Sequence, residues 1–392
     1  MKPTLFVCIK NPFAQRDLER MGIEALERDF DLRILDCTAW LMPSAQLTRG
    51  PGSLARSNLR AVNSLREFNT ALGDARGSYA IDYVGQFSPQ AILMFNALKS
   101  RGIKLIVMDS GAYPAPESTL GRRSLTVKIL DAFRHGGLRQ HLNARINKLL
   151  LKFLPNQRPD FALVSGNWWA AEPRFVEAAQ KIPAHSFDYE RYWQLKRVPA
   201  SPDVAAGPYA VYLDEDIAGH EDNHEIGLAT PASATRFYPA LARLFDQFEV
   251  ATGMRVLIAG YPSNRPNVEV RFGQRQVFFG RAAELIRDAS LVFAHASTAI
   301  SFAVLWRRPL VFVTSDEIAK SWYQPWIEAP RALLRASMVN VDEAPVSISP
   351  AWSTIDAPSY ENYQATFLKS SDSPDISLWE IFLKVKESRS SQ

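Results

Sequence analysis

Short apolar runs rich in β-formers alternate with helix-period segments along nearly the whole chain, and few architectures tolerate that pattern. The runs TLFVCI (4–9), DLRILDCT (31–38), YAIDYV (79–84), KLIVMDS (104–110) and DFALVSG (160–166) carry little polar alternation. A strand that is apolar on both faces must be covered on both, and parallel strands need a long crossover between them. Helix-period segments stand where those crossovers belong: 14–30, with Leu18, Met21, Ile23, Leu26 and Phe30 roughly along one side, then 55–73, 88–101 and 122–153. The sequence therefore predicts a parallel sheet with helices on both faces.

At 194–209 the pattern breaks. QLKRVPASPDVAAGPY holds three prolines, Gly207 and small residues, the composition of an interdomain linker. The alternation then resumes with YAVYLDED (209–216), a helix at 233–252, RVLIAGYP (255–262), QVFFG (276–280) and a helix at 281–289. LVFAHAS (291–297), a helix at 298–307, PLVFVT (309–314), a helix from 316 and MVNVD (338–342) complete the block. A chain of 392 residues also exceeds what one core ordinarily serves. The expectation is an α/β protein with a first domain over 1–195, a second over 209–370 and a terminal helix and tail over 371–392. In that tail Ile376, Trp379, Ile381 and Phe382 gather on one side. Two doubly wound domains facing a central cleft bind ligands beyond the carboxyl ends of their strands, so function is to be sought at strand ends.

Composition narrows the class. At 47% apolar and 22% charged residues the chain reads as an ordinary globular protein. A net charge of +4 is too slight to mark a nucleic-acid binder, and no nucleic-acid partner is expected. Cys8 and Cys37 are the only cysteines; both lie in apolar strand-like runs, as buried thiols do, rather than in a disulfide or metal site. No run approaches the roughly 18 apolar residues of a membrane span. MKPTLFVCIKNPF carries too short an apolar run for a secretory leader, so a cytoplasmic protein, in solution or peripheral on the inner membrane, is expected.

Several chemistries lack their motifs. There is no G-x-G-x-x-G after a strand, no G-x-x-x-x-G-K-[ST], no G-x-S-x-G elbow and no Cys/His cluster with zinc spacing. His220 and His224 stand four apart in GHEDNHE, but Gly219, Asn223 and Gly227 make the context a loop.

The polar groups fall at strand ends in the second half. In YAVYLDED, Asp214 and Asp216 share one side of the strand and Glu215 faces the other. The triplet resembles the D-x-D of metal-dependent sugar transferases, and it equally suits a solvated strand terminus. As chemistry, Asp214 or Glu215 offers the fixed carboxylate that an acceptor hydroxyl needs as base, or that a covalent step needs as nucleophile. GYPSNRP (260–266) supplies Tyr261 and Arg265, the latter suited to a carboxylate or phosphate. Gly280 would admit a ligand close to the backbone beside Arg281. In HAST, Ser297 or Thr298 is a natural helix cap, with His295 two residues before; free N–H groups at such a helix start hold phosphate without metal.

The first half offers acceptor-side candidates. Lys10, Asn11, Gln15 and Arg16 follow the first strand, and PAHSFDYERYW (183–193) adds His185 and Asp188 among aromatics that stack on sugars. Segment 122–152 carries Arg122, Arg123, Lys128, Arg134, Arg139, Arg145, Lys148 and Lys152 against the single acid Asp131. With Leu138, Leu142, Ile146, Leu149, Leu150 and Phe153 on a helical face, it suits an anionic membrane surface, and equally a helix packed on its own domain.

NPFAQRDLERMGIEAL, HSFDYERY, YAVYLDED and ELIRDASLVFAHASTAISFAVLWRRPLVFVTSDE together resemble a GT-B glycosyltransferase of bacterial surface-polysaccharide (capsule, O-antigen or lipopolysaccharide) biosynthesis. The resemblance covers most of the chain and implies two Rossmann-like domains around a central cleft. Within that class it is most similar to retaining β-Kdo transferases that use CMP-Kdo. It implies that Asp214 is the catalytic carboxylate and that His295, Ser297 and Thr298 contact the donor nucleotide. One departure is that Tyr261 stands where related sequences carry a His before Pro. The implied partners are a nucleotide-sugar donor, which is a substrate, and a glycan or lipid-linked glycan acceptor. No cofactor and no metal is expected, because helix-terminus donors and basic side chains can carry the leaving phosphate. The alternatives are an inverting transferase using a UDP- or dTDP-sugar, a non-catalytic glycan- or nucleotide-binding subunit, and a nucleotide-sugar epimerase.

Overall fold

A computed structural model describes residues 2–13, 17–18, 21–43, 54–85, 88–108, 113–114, 116, 137–154, 158–199, 207–219, 228–261, 271–343 and 345–390. Its contacts divide the chain into two compact units. One comprises Met1–Ser110, Ser124–Phe187 and Lys369–Gln392, and the other Gly111–Arg123 and Asp188–Leu368. The division thus falls at Phe187 and not at 195. Residues up to 199 pack with the second unit, where the Arg287 guanidinium donates to the carbonyls of Leu195 and Val198 at 3.5 and 3.0 Å.

The first unit is built on seven strands: β1 (Thr4–Ile9), β2 (Asp31–Asp36), β3 (Leu59–Ala61), β4 (Tyr79–Asp82), β5 (Lys104–Met108), β6 (Phe161–Val164) and β7 (Gln180–Pro183). They run β3-β2-β1-β4-β5-β6-β7 and every pair is parallel. The chain leaves β1 toward one edge and returns beside it as β4, so the direction of winding reverses between these two strands. Side-chain alternation explains the two layers around the sheet. Leu5, Val7 and Ile9 of β1 join one core with helix α1 (Ile23–Asp29), while Phe6 and Cys8 join another with α2 (Leu65–Leu72) and α3 (Pro89–Ser100). Ser64 and Ser88 cap α2 and α3 by accepting from the N–H of Glu67 and Ala91.

Cys8 and Cys37 are buried and free, and burial pushes the Cys37 thiol up to about 12. Helix α4 (Gly137–Phe153) packs on α3. The C-terminal helix α10 (Leu378–Ser390) returns to this unit and places Leu378, Trp379, Ile381 and Phe382 in the α1 layer. There the Trp379 indole lies on Gly22, which holds φ at +59°; a Cβ at that position would run into the indole. Strand β3 falls inside the stretch expected to be helical, and β7 has only Ile182 as a buried residue.

The second unit repeats the design with six strands: β8 (Tyr209–Leu213), β9 (Arg255–Gly260), β10 (Val277–Phe279), β11 (Leu291–Ala294), β12 (Leu310–Thr314) and β13 (Ser337–Asn340). The order is β10-β9-β8-β11-β12-β13, again all parallel, with the reversal between β8 and β11. Between the strands lie α6 (Ala234–Thr252), α7 (Ala282–Asp288), α8 (Ile300–Leu305) and α9 (Gln324–Leu334), and α5 (Phe187–Leu195) leads into the unit. Phe237, Leu241, Leu244, Phe245 and Phe248 give α6 one apolar face. Phe245 meets Tyr212 at 5.3 Å and Phe248 meets Phe293 at 5.2 Å, which seats α6 on β8 and β11. Gly253, at φ +70°, ends that helix in the left-handed turn.

Candidate functional site

Where a doubly wound sheet reverses direction, the loops after the two central strands diverge and leave a crevice. In the second unit that crevice is a cavity of about 580 Å³ at the carboxyl ends of β8, β9, β10 and β11. Asp214, Glu215, Tyr261, Gly280, Ser297, Thr298 and Tyr323 line it.

The three acids after β8 separate into different roles. Asp214 is buried and accepts from two backbone N–H groups, Asp216 to Oδ1 at 3.0 Å and Tyr261 to Oδ2 at 3.4 Å. Burial raises its pKa and these bonds oppose the rise. Asp216 turns away from the cavity: it pairs with Arg271 and accepts from the Tyr238 hydroxyl at 3.2 Å, with its backbone at φ +48°. Glu215 Oε2 accepts from the Tyr323 hydroxyl and from Ala296 N at 3.2 Å, while Oε1 is buried without a hydrogen-bond partner. Burial outweighs the hydrogen bonds from Tyr323, Ser297 and Ala296, so the Glu215 carboxyl is pushed up to about 7. A carboxyl in that range exchanges protons at working pH.

His295 corrects the sequence expectation. Its side chain is fully buried, and Nδ1 lies 2.7 Å from the Val313 carbonyl, so Nδ1 carries the proton and Nε2 accepts from the Tyr212 hydroxyl at 2.9 Å. Burial pushes its pKa down to about 3. It is a neutral core histidine that ties β11 to β8 and β12, and it does not line the cavity. The helix cap also moves. Helix α8 begins at Ile300 after a turn whose bonds run from Ile300, Ser301 and Phe302 back to Ser297, Thr298 and Ala299, and the Ser297 hydroxyl accepts from Ala299 N at 3.3 Å. Ser297 and Thr298 therefore line the cavity from a turn, where a helix start was expected.

The remaining donor-side candidates divide. Tyr261 and Gly280, the latter at φ +71°, line the cavity. Arg281 stacks on Phe278 at 5.4 Å and is not among the lining residues. Arg265 and the His220/His224 pair lie outside the described residues, as do Gln15, Arg16 and 122–136. On the acceptor side Lys10 lines a separate cavity in the first unit, and Asn11 beside it is exposed. His185 is instead buried, bridged to Lys369, and Asp188 belongs to the second unit.

Three partners carry no motif that a sequence reading could catch. Tyr323, just before α9, reaches Glu215 across 108 positions, and Arg271 and Tyr238 hold Asp216. Tyr113 adds its ring beside Trp326 at 6.5 Å and donates to the Trp326 carbonyl at 3.0 Å. Among the described residues, no group of three or more His, Cys, Asp or Glu is placed to hold a metal ion. None of the described helices is long and apolar enough to cross a membrane.

No family model matches the sequence, and no curated protein does. Solved structures do match in fold. A glycosyltransferase of kitacinnamycin is similar at 11% identity over 98% of this chain and 99% of that one, with a TM-score of 0.51. A protein described as a UDP-N-acetylglucosamine 2-epimerase from Listeria monocytogenes covers 100% and 98% at 10% identity, with a TM-score of 0.49. A spinosyn rhamnosyltransferase solved with thymidine diphosphate covers 98% and 96% at 11%, with a TM-score of 0.47. Identities this low speak to fold alone, and with two parallel α/β units of seven and six strands the chain has the GT-B fold.

Proposed function

We propose that this chain is a glycosyltransferase that binds a nucleotide-sugar donor in the cavity of its second unit and passes the sugar to a glycan or lipid-linked glycan. The observation that carries this reading is Glu215: a buried carboxyl held near neutrality on the wall of a cavity of about 580 Å³, beside the hydroxyls of Ser297 and Tyr323. Such a volume suits a nucleotide-sized ligand. The hydroxyls suit a ribose or sugar, and Gly280 leaves room for a phosphate to approach the backbone.

On the resemblance above, the donor is CMP-Kdo and the reaction retains configuration, with Asp214 as the catalytic carboxylate. The two N–H groups on Asp214 would keep that carboxylate charged and aimed. A second reading is favoured by Glu215 itself. A carboxyl titrating at about 7 can take the proton of an acceptor hydroxyl, which is the chemistry of an inverting transferase using a UDP- or dTDP-sugar. Either way the leaving phosphate is carried by protein donors, without metal.

The protein works in the cytoplasm in this reading, with α4 resting on the anionic inner membrane. Arg145, Lys148 and Lys152 share an exposed helix face with Leu149 and Phe153, which are 55% and 70% exposed. Ile146 and Leu150 lie on the more buried side.

Thermal unfolding with CMP, UDP, dTDP, GDP and ADP, each with and without EDTA, tests the donor, because a ligand of the folded state raises the midpoint by mass action. A shift with CMP alone, insensitive to EDTA, supports the Kdo reading, and the anomeric configuration of the product then decides retention. A shift with UDP or dTDP discards Kdo. No shift with any nucleotide discards the transferase.

A further inference from the structure

The first unit has a crevice at its own reversal point, between β1 and β4, with a cavity of about 230 Å³. Its walls include Lys10 after β1, Asp82 at the end of β4, and Trp169, Glu172 and Arg174 from the segment after β6. The Asp82 carboxylate and one oxygen of Glu172 are already engaged. Asp82 Oδ1 takes Val84 N and Gly85 N, both at 2.8 Å, and Oδ2 takes Arg174 Nη1 at 2.5 Å. Glu172 Oε2 takes the backbone N–H of Arg174 at 2.7 Å. Lys10 Nζ donates to the Val84 carbonyl at 2.8 Å.

The donors are not used up. Arg174 Nε and Nη2 and Trp169 Nε1 are buried, and no protein acceptor meets them. Nε and Nη2 form one edge of the guanidinium, two parallel N–H groups spaced for the two oxygens of a carboxylate or phosphate. Neutralising Asp82 needs only Nη1, so salt bridging does not account for that edge. Unmet buried donors on a cation are costly, and such donors on residues that wall one cavity suit a ligand that brings acceptors.

We propose that this cavity is a second binding site, one that takes a small oxyanion, with the Nε–Nη2 edge of Arg174 gripping it bidentately, Trp169 Nε1 adding a third hydrogen bond and Lys10 adding charge. The site is too small for a nucleotide sugar; it holds one phosphate or one acidic sugar ring. It is independent of which donor the second unit binds. The Arg174 guanidinium lies over the Phe95 ring, 5.3 Å away.

The indole N–H of Trp169 is the probe. In the full chain, labelled with ¹⁵N-tryptophan, its cross-peak among the nine tryptophans is assigned by its loss in Trp169→Phe. Titration with glucuronate, inorganic phosphate, glucose 1-phosphate and glucose is expected to give a saturable shift with an anion and none with glucose. A response to glucuronate alone identifies a carboxylate-bearing sugar, and a response to phosphate or glucose 1-phosphate alone a phosphate; a response to both supports the oxyanion site in its general form. Arg174→Lys, which keeps the charge and loses the fork, is expected to weaken binding about tenfold or more. No shift with any anion, an equal shift with glucose, or affinity unchanged in Arg174→Lys overturns the site. The wild-type titration alone decides if that variant fails to fold.

Discussion

The Tyr323 hydroxyl donates a hydrogen bond to Glu215 Oε2, joining the loop after β8 to the start of α9. That bond favours the charged carboxylate, and burial disfavours it more strongly. Tyr323→Phe removes the opposing influence, so the Glu215 pKa moves above 7. A hydrogen bond to a charged group contributes about 1.5–3 kcal/mol, which corresponds to roughly one to two pH units. The limb of the kcat/KM–pH profile near 7 is therefore expected to move upward by about that much in Tyr323→Phe. A limb that stays in place would assign it to a different group.

Glu215 and His295 act on stability with opposite signs. Glu215 goes from its ordinary 4.5 to about 7 on folding, so between those values the native state holds a proton that the unfolded chain has lost, and stability falls as pH rises. His295 goes from 6.5 to about 3, so the unfolded chain holds the extra proton and stability rises with pH across that window. The two slopes oppose each other between 4.5 and 6.5. Glu215→Gln leaves the histidine slope alone. Stability of the variant is then expected to fall by up to about 1.4 kcal/mol per unit as pH drops below 6.5, while the wild type stays flatter. Denaturant titrations across the window measure this, and parallel pH dependences in the two proteins would contradict it.

Where the chain alternates strongly, the fold was legible. Leu5–Ile9 and Tyr209–Leu213 are apolar throughout, and both became central parallel strands. β3 and β7 were missed because each lies at a sheet edge, where a strand is held by neighbour pairing and needs few apolar side chains. At the site, Asp214, Glu215 and Ser297 could be found because strand ends collect ligands. Tyr323 could not, since its meeting with Glu215 is a consequence of how β12 and α9 fold back. His295 misled because polarity at a strand end looks alike whether the side chain faces a cavity or the core.

Gly22 is expected to be the most sensitive point of the first unit's terminal helix. Its φ of +59° is already unfavourable to a side chain, and Trp379 leaves no space for one. Gly22→Ala must displace the indole, which costs about 1–3 kcal/mol for the overpacking and more for the strained backbone. The expected result is a lower melting temperature with α10 loosened, read as faster proteolysis after residue 369. Trp379→Ala in the same chain should recover part of the loss, because it removes the clash. A Gly22→Ala protein as stable as the wild type would mean that α10 does not dock there.

The exposed face of α4 makes the membrane expectation measurable. Leu149 and Phe153 stand one turn apart with Arg145, Lys148 and Lys152 around them, and these three cations have no acidic neighbour within the stretch 145–153. Burying a Leu or Phe side chain contributes about 1.5–3 kcal/mol, and each basic residue near an anionic surface about 1 kcal/mol. Co-sedimentation with phosphatidylglycerol vesicles is expected, falling with added salt and weak on phosphatidylcholine vesicles. Leu149→Ser with Phe153→Ser should weaken binding at least tenfold, and Lys148→Gln with Lys152→Gln should remove most of the salt dependence. These positions are solvent-facing, so the variants should melt close to the wild type, and lost vesicle binding then reports the surface itself. Binding that ignores both pairs would move the contact elsewhere on the protein.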